Sequence, residues 1–286
     1  SLSSSTGFSS ITTNLGEVQN KGFELTLNTL NIQNDKFEWR SSLGFSLNRN
    51  KIVHLYYTYE DILDENGNVI GYKELDDQKN GWFIGKAINE IWGYSTVGLA
   101  KTDAEGIWQK GEEEEAAKYG QVPGDPKFKD IYDVDSRRYS NEDKVFLGSS
   151  SPKFRWTFRN DFTLWKNLTA SVSIYSKWGQ KQAEEFMATG YSYERGNTYE
   201  LKYWTPDNPT NNYARLGATN TSGGSRIIDG SFIRLESIAL EYNVPKQWLS
   251  KFHIGGLRIS GSVRNVACWT KEFQYDDPEY GTVVPI

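Results

Sequence analysis

Phe154-Arg155-Trp156-Thr157-Phe158-Arg159-Asn160-Asp161-Phe162-Thr163-Leu164 decides the fold. Phe154, Trp156, Phe158, Phe162 and Leu164 fall on one side of an extended chain. Arg155, Thr157, Arg159, Asp161 and Thr163 fall on the other, the period of two that a strand imposes. Asn160 alone breaks the pattern, a polar residue on the apolar side. After Trp165-Lys166-Asn167 the alternation resumes, with Leu168, Ala170, Val172 and Ile174 against Thr169, Ser171, Ser173 and Tyr175. Pro152–Trp178 therefore reads as a β-hairpin.

Two more units repeat this design. Lys21–Asn48 turns at Gln33-Asn34-Asp35, with Phe37, Trp39, Leu43, Phe45 and Leu47 opposing Glu38, Arg40, Ser42, Ser46 and Asn48. Asp229–Thr270 turns around Pro245-Lys246-Gln247-Trp248, and its last strand sets Leu257, Ile259, Gly261 and Val263 against Arg258, Ser260, Ser262 and Arg264. A tilted strand needs roughly 9–11 residues to cross the apolar layer of a membrane, which the Phe37–Leu47 alternation supplies. Long, weakly periodic segments containing Tyr59–Asn80, Lys101–Ser151 and Gly179–Ile228 fall at the opposite end from the short turns. One tight rim and one loop-bearing rim are what a membrane β-barrel shows. A soluble β-sandwich also alternates, but its strands usually run about 5–6 residues and nothing gathers its long loops at one end. The Ile84–Leu99 region is expected to add a strand pair with Lys51–Tyr59, for eight to ten strands in one domain.

Composition narrows the function. The chain has 286 residues, of which 37% are hydrophobic and 14% aromatic, and carries a net charge of −5. That hydrophobic share is low for a buried soluble core. Acidic stretches such as Glu112–Glu115 and Asp130–Asp135 read as solvated loop charge and disfavour nucleic acid. The lone Cys268 permits no internal disulfide, and His54 and His253 form no metal or triad pattern. No apolar run approaches the roughly 20 residues of a membrane helix, which says nothing against a barrel. The opening Ser1-Leu2-Ser3-Ser4-Ser5 has no initiator Met or signal peptide and suggests a piece of a longer protein.

Local wording then becomes specific. Asn14-Leu15-Gly16-Glu17-Val18-Gln19-Asn20-Lys21-Gly22-Phe23-Glu24-Leu25 resembles the N-x-G-x-V-x-N-x-G-x-E-L segment of SusC/RagA-type TonB-linked outer-membrane proteins. So do Ile84–Tyr94, Pro123-Gly124-Asp125, Lys144–Gly148 leading to Ser151–Phe154, and Tyr203-Trp204-Thr205-Pro206-Asp207-Asn208-Pro209. Asp229–Leu235, Arg264-Asn265-Val266 and Asp276-Asp277-Pro278-Glu279 follow in the family's order.

The resemblance implies an all-β, antiparallel transmembrane β-barrel segment. Residues 1–286 would be the C-terminal portion of a 22-stranded barrel, with short periplasmic turns and long extracellular loops. The plug domain, TonB box and first half of the barrel would lie upstream, and a closing strand beyond Val283-Val284-Pro285-Ile286. It implies TonB-dependent import of a glycan oligomer or a peptide across the outer membrane of Bacteroidota, with a SusD-like surface lipoprotein as partner. No catalytic group and no cofactor are expected. The region where many relatives carry a calcium-loop-like stretch reads Asp133-Val134-Asp135-Ser136-Arg137-Arg138-Tyr139 here, with Arg at ligand and turn positions, so no metal is expected.

Site candidates follow from this reading. Trp204 and Tyr203, with Asn208, Asn211 and Tyr193, offer rings and amides of the kind that hold sugars. The plainer role for Trp204 is to pack its own loop. Tyr191 and Tyr199 are similar, and Trp108 is a candidate loop anchor. Trp39, Trp156 and Trp165 fall near strand ends, where amphipathic rings suit the bilayer interface. Arg155, Arg159, Arg258 and Arg264 share the polar face. The rival reading is a soluble β-sandwich, either a carbohydrate-binding module or a glycoside hydrolase domain, the latter needing two carboxylates across a cleft.

Overall fold

The computed structural model describes residues 16–99, 108–109, 123–129, 131–132, 138–184, 202–210, 213–215, 226–273 and 277–279. Six long strands make one sheet: β1 (Glu17–Gln33), β2 (Phe37–His54), β3 (Phe154–Leu164), β4 (Leu168–Trp178), β5 (Phe232–Asn243) and β6 (Arg258–Thr270). Their spatial order is their sequence order, so the sheet is an up-and-down meander. All three hairpins expected from the alternation are present.

The register puts apolar on apolar. Phe158 faces Leu43 on one side and Ile174 on the other, and Phe162 faces Trp39 and Ala170. Between β4 and β5 the pairing slips: Ser173 faces Ser237 and Ile174 faces Leu235, leaving Glu236 as a bulge. The bulge moves the apolar side chains of β5 from odd positions (Ile233, Leu235) to even ones (Ile238, Leu240) while keeping them on one face.

At one end the turns are tied together. Leu164 O accepts from Asn167 N–H at 3.1 Å across a turn whose central residues have positive φ, Trp165 at 49° and Lys166 at 64°. Two positive φ values match the twist of a hairpin. Trp165 N–H donates to Lys36 O at 2.7 Å, and Asn243 N–H to Asn167 O at 2.8 Å. The β5–β6 connection is longer than expected. It holds a helical turn, Lys246–Leu249, continued by a 3-10 turn, Ser250–Phe252, which bury Leu249.

At the other end the described residues form short pairings. Tyr59–Leu63 pairs with Val69–Glu74, and Lys181–Glu184 with Arg226–Asp229. The expected pairing of Ile84–Leu99 with Lys51–Tyr59 is not what forms. Glu90–Tyr94 instead pairs with Lys144–Ser149, and Thr96–Leu99 with Pro126–Phe128. Ile52 keeps just two backbone bonds to this region, from its N–H to Lys86 O and from Gly85 N–H to its O. Among the described residues six long strands form the sheet, and these short pieces pair outside it.

By contacts the chain divides into Ser1–Lys21 with Arg49–Glu90, and Gly22–Asn48 with Ile91–Ile286. In the first unit the buried Glu74 accepts from the N–H groups of Leu55 (2.9 Å) and Tyr57 (2.8 Å) and lies 2.8 Å from His54 Nδ1. In the second, Tyr94 and Phe128 form a small buried cluster, with ring centroids 5.4 Å apart. Meanwhile Phe23, Leu25, Leu27, Ile238, Leu240, Ile259 and Val263 stand exposed on the long strands. A sandwich would bury them under a second sheet; among the described residues they lie open. No described helix is long and apolar enough to cross a membrane.

Candidate functional site

The apolar face carries one polar chain. Trp39 Nε1 donates to Asn160 Oδ1 at 2.9 Å, and Ser41 Oγ donates to the same oxygen at 2.7 Å. Asn31 Nδ2 in turn donates to Ser41 Oγ at 2.7 Å. The residue that breaks the β3 alternation is thus the acceptor for groups on β2, which satisfies polar atoms that an apolar medium would penalise.

Aromatic rings lie along the edges of this face. Register aligns Phe45, Trp156, Ser176, Ile233 and Trp269 in one row toward the loop end. Trp39 stacks on Phe162 at 5.8 Å toward the turn end. The two rows are about 20 Å apart along the strands at about 3.3 Å per residue. Trp165 lies beyond the second row, in the turn itself and largely exposed. Trp269 completes the first row and was not among the sequence candidates, although it continues the odd-numbered alternation of Leu257–Val263.

The polar face is laced with ion pairs. Arg159 Nη2 lies 2.7 Å from Asp161 Oδ1, which also accepts from Ser171 Oγ. Arg258 Nε lies 3.3 Å from Glu241 Oε1, and Arg155 and Arg264 are exposed. At the loop end a strap crosses β4 and β5. Asp277 and Glu279 pair with the buried Arg234 at 2.7 and 3.3 Å, and Lys177 Nζ lies 2.6 Å from Glu279 Oε1. Tyr175 Oη also bonds Glu279, and Gln182 Nε2 donates to Pro278 O at 2.9 Å. Sequence reading used the acidic Asp276–Glu279 run only as family wording and gave Arg234 no partner.

The loop candidates come together in part. Tyr203, Trp204 and Asn208 share one segment, in which Asn208 Nδ2 donates to Tyr203 O at 2.9 Å and Asn208 N–H to Thr205 O at 2.9 Å. That amide closes its own turn. Trp204 lies against Gly124: a Cβ there would come within 2.4 Å of the indole, and its φ of +92° favours glycine independently. Arg215 N–H donates to Gly124 O at 3.0 Å, while its guanidinium lies 2.7 Å from the fully buried Asp125. Asn211, Asn212, Tyr191, Tyr193 and Tyr199 lie outside the described residues, as does the side chain of Trp108.

Buried carboxylates here hold loops. Asp143 is 1% exposed. Burial opposes its ionisation, but the N–H groups of Tyr132, Ile131 and Ser140 and the Ser140 hydroxyl prevail and hold its carboxyl below the usual range. Glu74 is treated alike by burial, His54 and two backbone N–H groups, again with a lowered value. Among the described residues no three His, Cys, Asp or Glu side chains are grouped to hold a metal. Most of the Asp133–Tyr139 stretch lies outside those residues.

No family model matches the chain. It is 29% identical over 284 residues to the TonB-dependent receptor P26 of Formosa agariphila, covering 96% of this chain and 27% of that protein. The TonB-dependent receptor P3 of the same organism is 26% identical over 276 residues, covering 96% of this chain and 26% of the relative. The chain thus spans about a quarter of the length of these relatives. Among solved structures it resembles the RagAB peptide transporter, with a TM-score of 0.63 and 22% identity over 94% of this chain and 28% of that one. The RagAB peptide importer in its open-open state gives a TM-score of 0.61 at 22% identity, over 94% of this chain and 27% of that one. Across nearly its whole length the chain is thus similar in sequence to TonB-dependent receptors, and its meander of long antiparallel strands shares the fold of the RagAB transporter.

Proposed function

We propose that the protein containing this chain imports an oligomeric nutrient, glycan or peptide, across the outer membrane, driven through TonB and served by a SusD-like surface lipoprotein. In this reading the chain is the C-terminal part of a 22-stranded wall. Its apolar face meets lipid and its polar face meets the lumen. The tied turns face the periplasm, and the long segments face outward toward substrate and lipoprotein. One observation carries the reading: strands of membrane-crossing length present large apolar side chains that no described residue covers. A wall around a path also needs its interior charges quenched, as Arg159–Asp161 and Arg234–Asp277 are.

Trp39, Trp156 and Trp269 would form interface belts, with Trp165 in the periplasmic one. Tyr203, Trp204 and Asn208, with Asn211 and Tyr193, remain candidates for touching cargo. The stacking of Trp204 on Gly124 favours an indole that shapes the loop and offers one face at most. The peptide alternative rests on the RagAB likeness, which is a likeness of fold.

The test is uptake by the parent organism. Deleting the gene should abolish growth on one class of glycan oligomers or peptides, and loss of TonB should do the same. Unchanged growth across both panels would overturn the import reading.

A further inference from the structure

Three lysine-bearing connections meet at the tied end of the sheet. The turn at Lys36 is bonded to Trp165 N–H at 2.7 Å, and Asn167 Nδ2 donates to Asn243 O at 2.8 Å, just before the Lys246–Leu249 helical turn. The three pieces make one rim. Large apolar side chains stand on it uncovered: Trp165 is 62% exposed, Trp248 60% and Phe252 73%. Trp248 and Phe252 lie four residues apart in one short helical run, and both rings are exposed. Leu249 between them is buried and fixes the run to the sheet.

The charge of this rim is opposite to that of the chain. Lys36, Lys166, Lys246 and Lys251 are all exposed, and within the three connections, 34–36, 165–167 and 244–257, Asp35 is the one carboxylate, a net of +3 in a chain of −5; the nearby Glu38 and Glu241 pair with Arg40 and Arg258. Lys166 Nζ lies 3.5 Å from Asp35 Oδ1, but both are so open to solvent that the pair holds little. The rim also continues the apolar face, which ends beside it at Leu164, Leu168, Tyr242 and Ile259. Exposed rings beside ammonium groups, at the edge of an uncovered apolar wall, match the boundary between headgroups and acyl chains.

We propose that this rim binds anionic phospholipid headgroups. The lysines hold headgroup phosphates while Trp248 and Phe252 enter the acyl boundary, seating the wall against the bilayer at its turn end. This rests on the import reading only in that the apolar face meets lipid.

The test uses the full-length receptor in phosphatidylcholine bilayers with and without phosphatidylglycerol, with retained lipid counted by native mass spectrometry. The receptor should retain phosphatidylglycerol preferentially, by about fivefold for each lysine near the surface. The preference should fall about fivefold in Lys251→Gln and nearly vanish when Lys166→Gln, Lys246→Gln and Lys251→Gln are combined. Trp248→Ala with Phe252→Ala should shorten lipid retention and keep the charge preference. Equal preference in the unaltered receptor and in Lys251→Gln, whose exposed side chain leaves the fold intact, would overturn the proposal. Failure to insert into either bilayer would instead count against the import reading.

Discussion

Arg234 Nη2 lies 2.7 Å from Asp277 Oδ1 and 2.8 Å from Oδ2, binding a strand residue to a segment more than 40 positions away. With Glu279 on Lys177 and Tyr175, the contact fastens Asp277-Pro278-Glu279 over the polar face of β4 and β5. Removing one member of a buried ion pair leaves the other charge stranded, at a cost of roughly 3–5 kcal/mol. Arg234→Met should therefore free the strap, read as faster hydrogen exchange at Glu279, whose N–H donates to Asp277 Oδ1 at 2.9 Å. Exchange as slow as in the unaltered protein would mean that other contacts hold the segment.

Asn160 gives a second prediction. Asn160→Val leaves Trp39 Nε1 and Ser41 Oγ without their acceptor and should destabilise the wall by about 1–2 kcal/mol. Replacing all four polar groups, as Asn160→Val with Ser41→Ala, Trp39→Phe and Asn31→Val, removes the stranded donors, Asn31 Nδ2 on Ser41 included, and should recover most of the loss. Folding midpoints in urea with lipid vesicles measure both, and additive losses would contradict a shared network.

Asp143 makes the Ser140–Asp143 turn sensitive to acid. Its folded value is depressed, so its contribution is present above the ordinary carboxylate value, near 4, and is lost as pH falls through the lowered folded one. Protease resistance of this turn should hold from neutrality down to about pH 5 and decline below about pH 4. Asp143→Asn should weaken the turn at neutral pH and flatten that dependence. A decline already complete near pH 6 would assign the effect to another group.

The hairpins were legible because alternation writes itself into sequence wherever one face of a strand is apolar. Phe154–Leu164 and Leu168–Trp178 needed nothing more. The β5 bulge was also written there, in the change from Ile233 and Leu235 to Ile238 and Leu240, but only pairing with β4 reveals it. The partners of Asn160 and Arg234 were not legible. Asn160 is 119 positions from Ser41, and no local pattern links them. The short pairings at the loop end were misread because Glu90–Tyr94 lacks strong alternation, so its choice of Lys144–Ser149 is set by tertiary packing. The Trp204 loop was found through its residue types, whereas Gly124, which admits the indole, carries no signal beyond being glycine.

The central claim is that the Phe158 side of the sheet meets lipid and the Thr157 side does not. Phe158 faces Leu43 and Ile174, while Thr157 faces Gly44 and Tyr175, so adjacent residues test opposite faces. The most direct measurement is the folded yield of the full-length receptor in outer membranes for Phe158→Arg and Thr157→Arg. An arginine on the lipid face near mid-membrane costs about 2–4 kcal/mol, so Phe158→Arg should lose most of its folded yield while Thr157→Arg stays near normal. Equal yields, or a greater loss in Thr157→Arg, would contradict the assignment of the two faces.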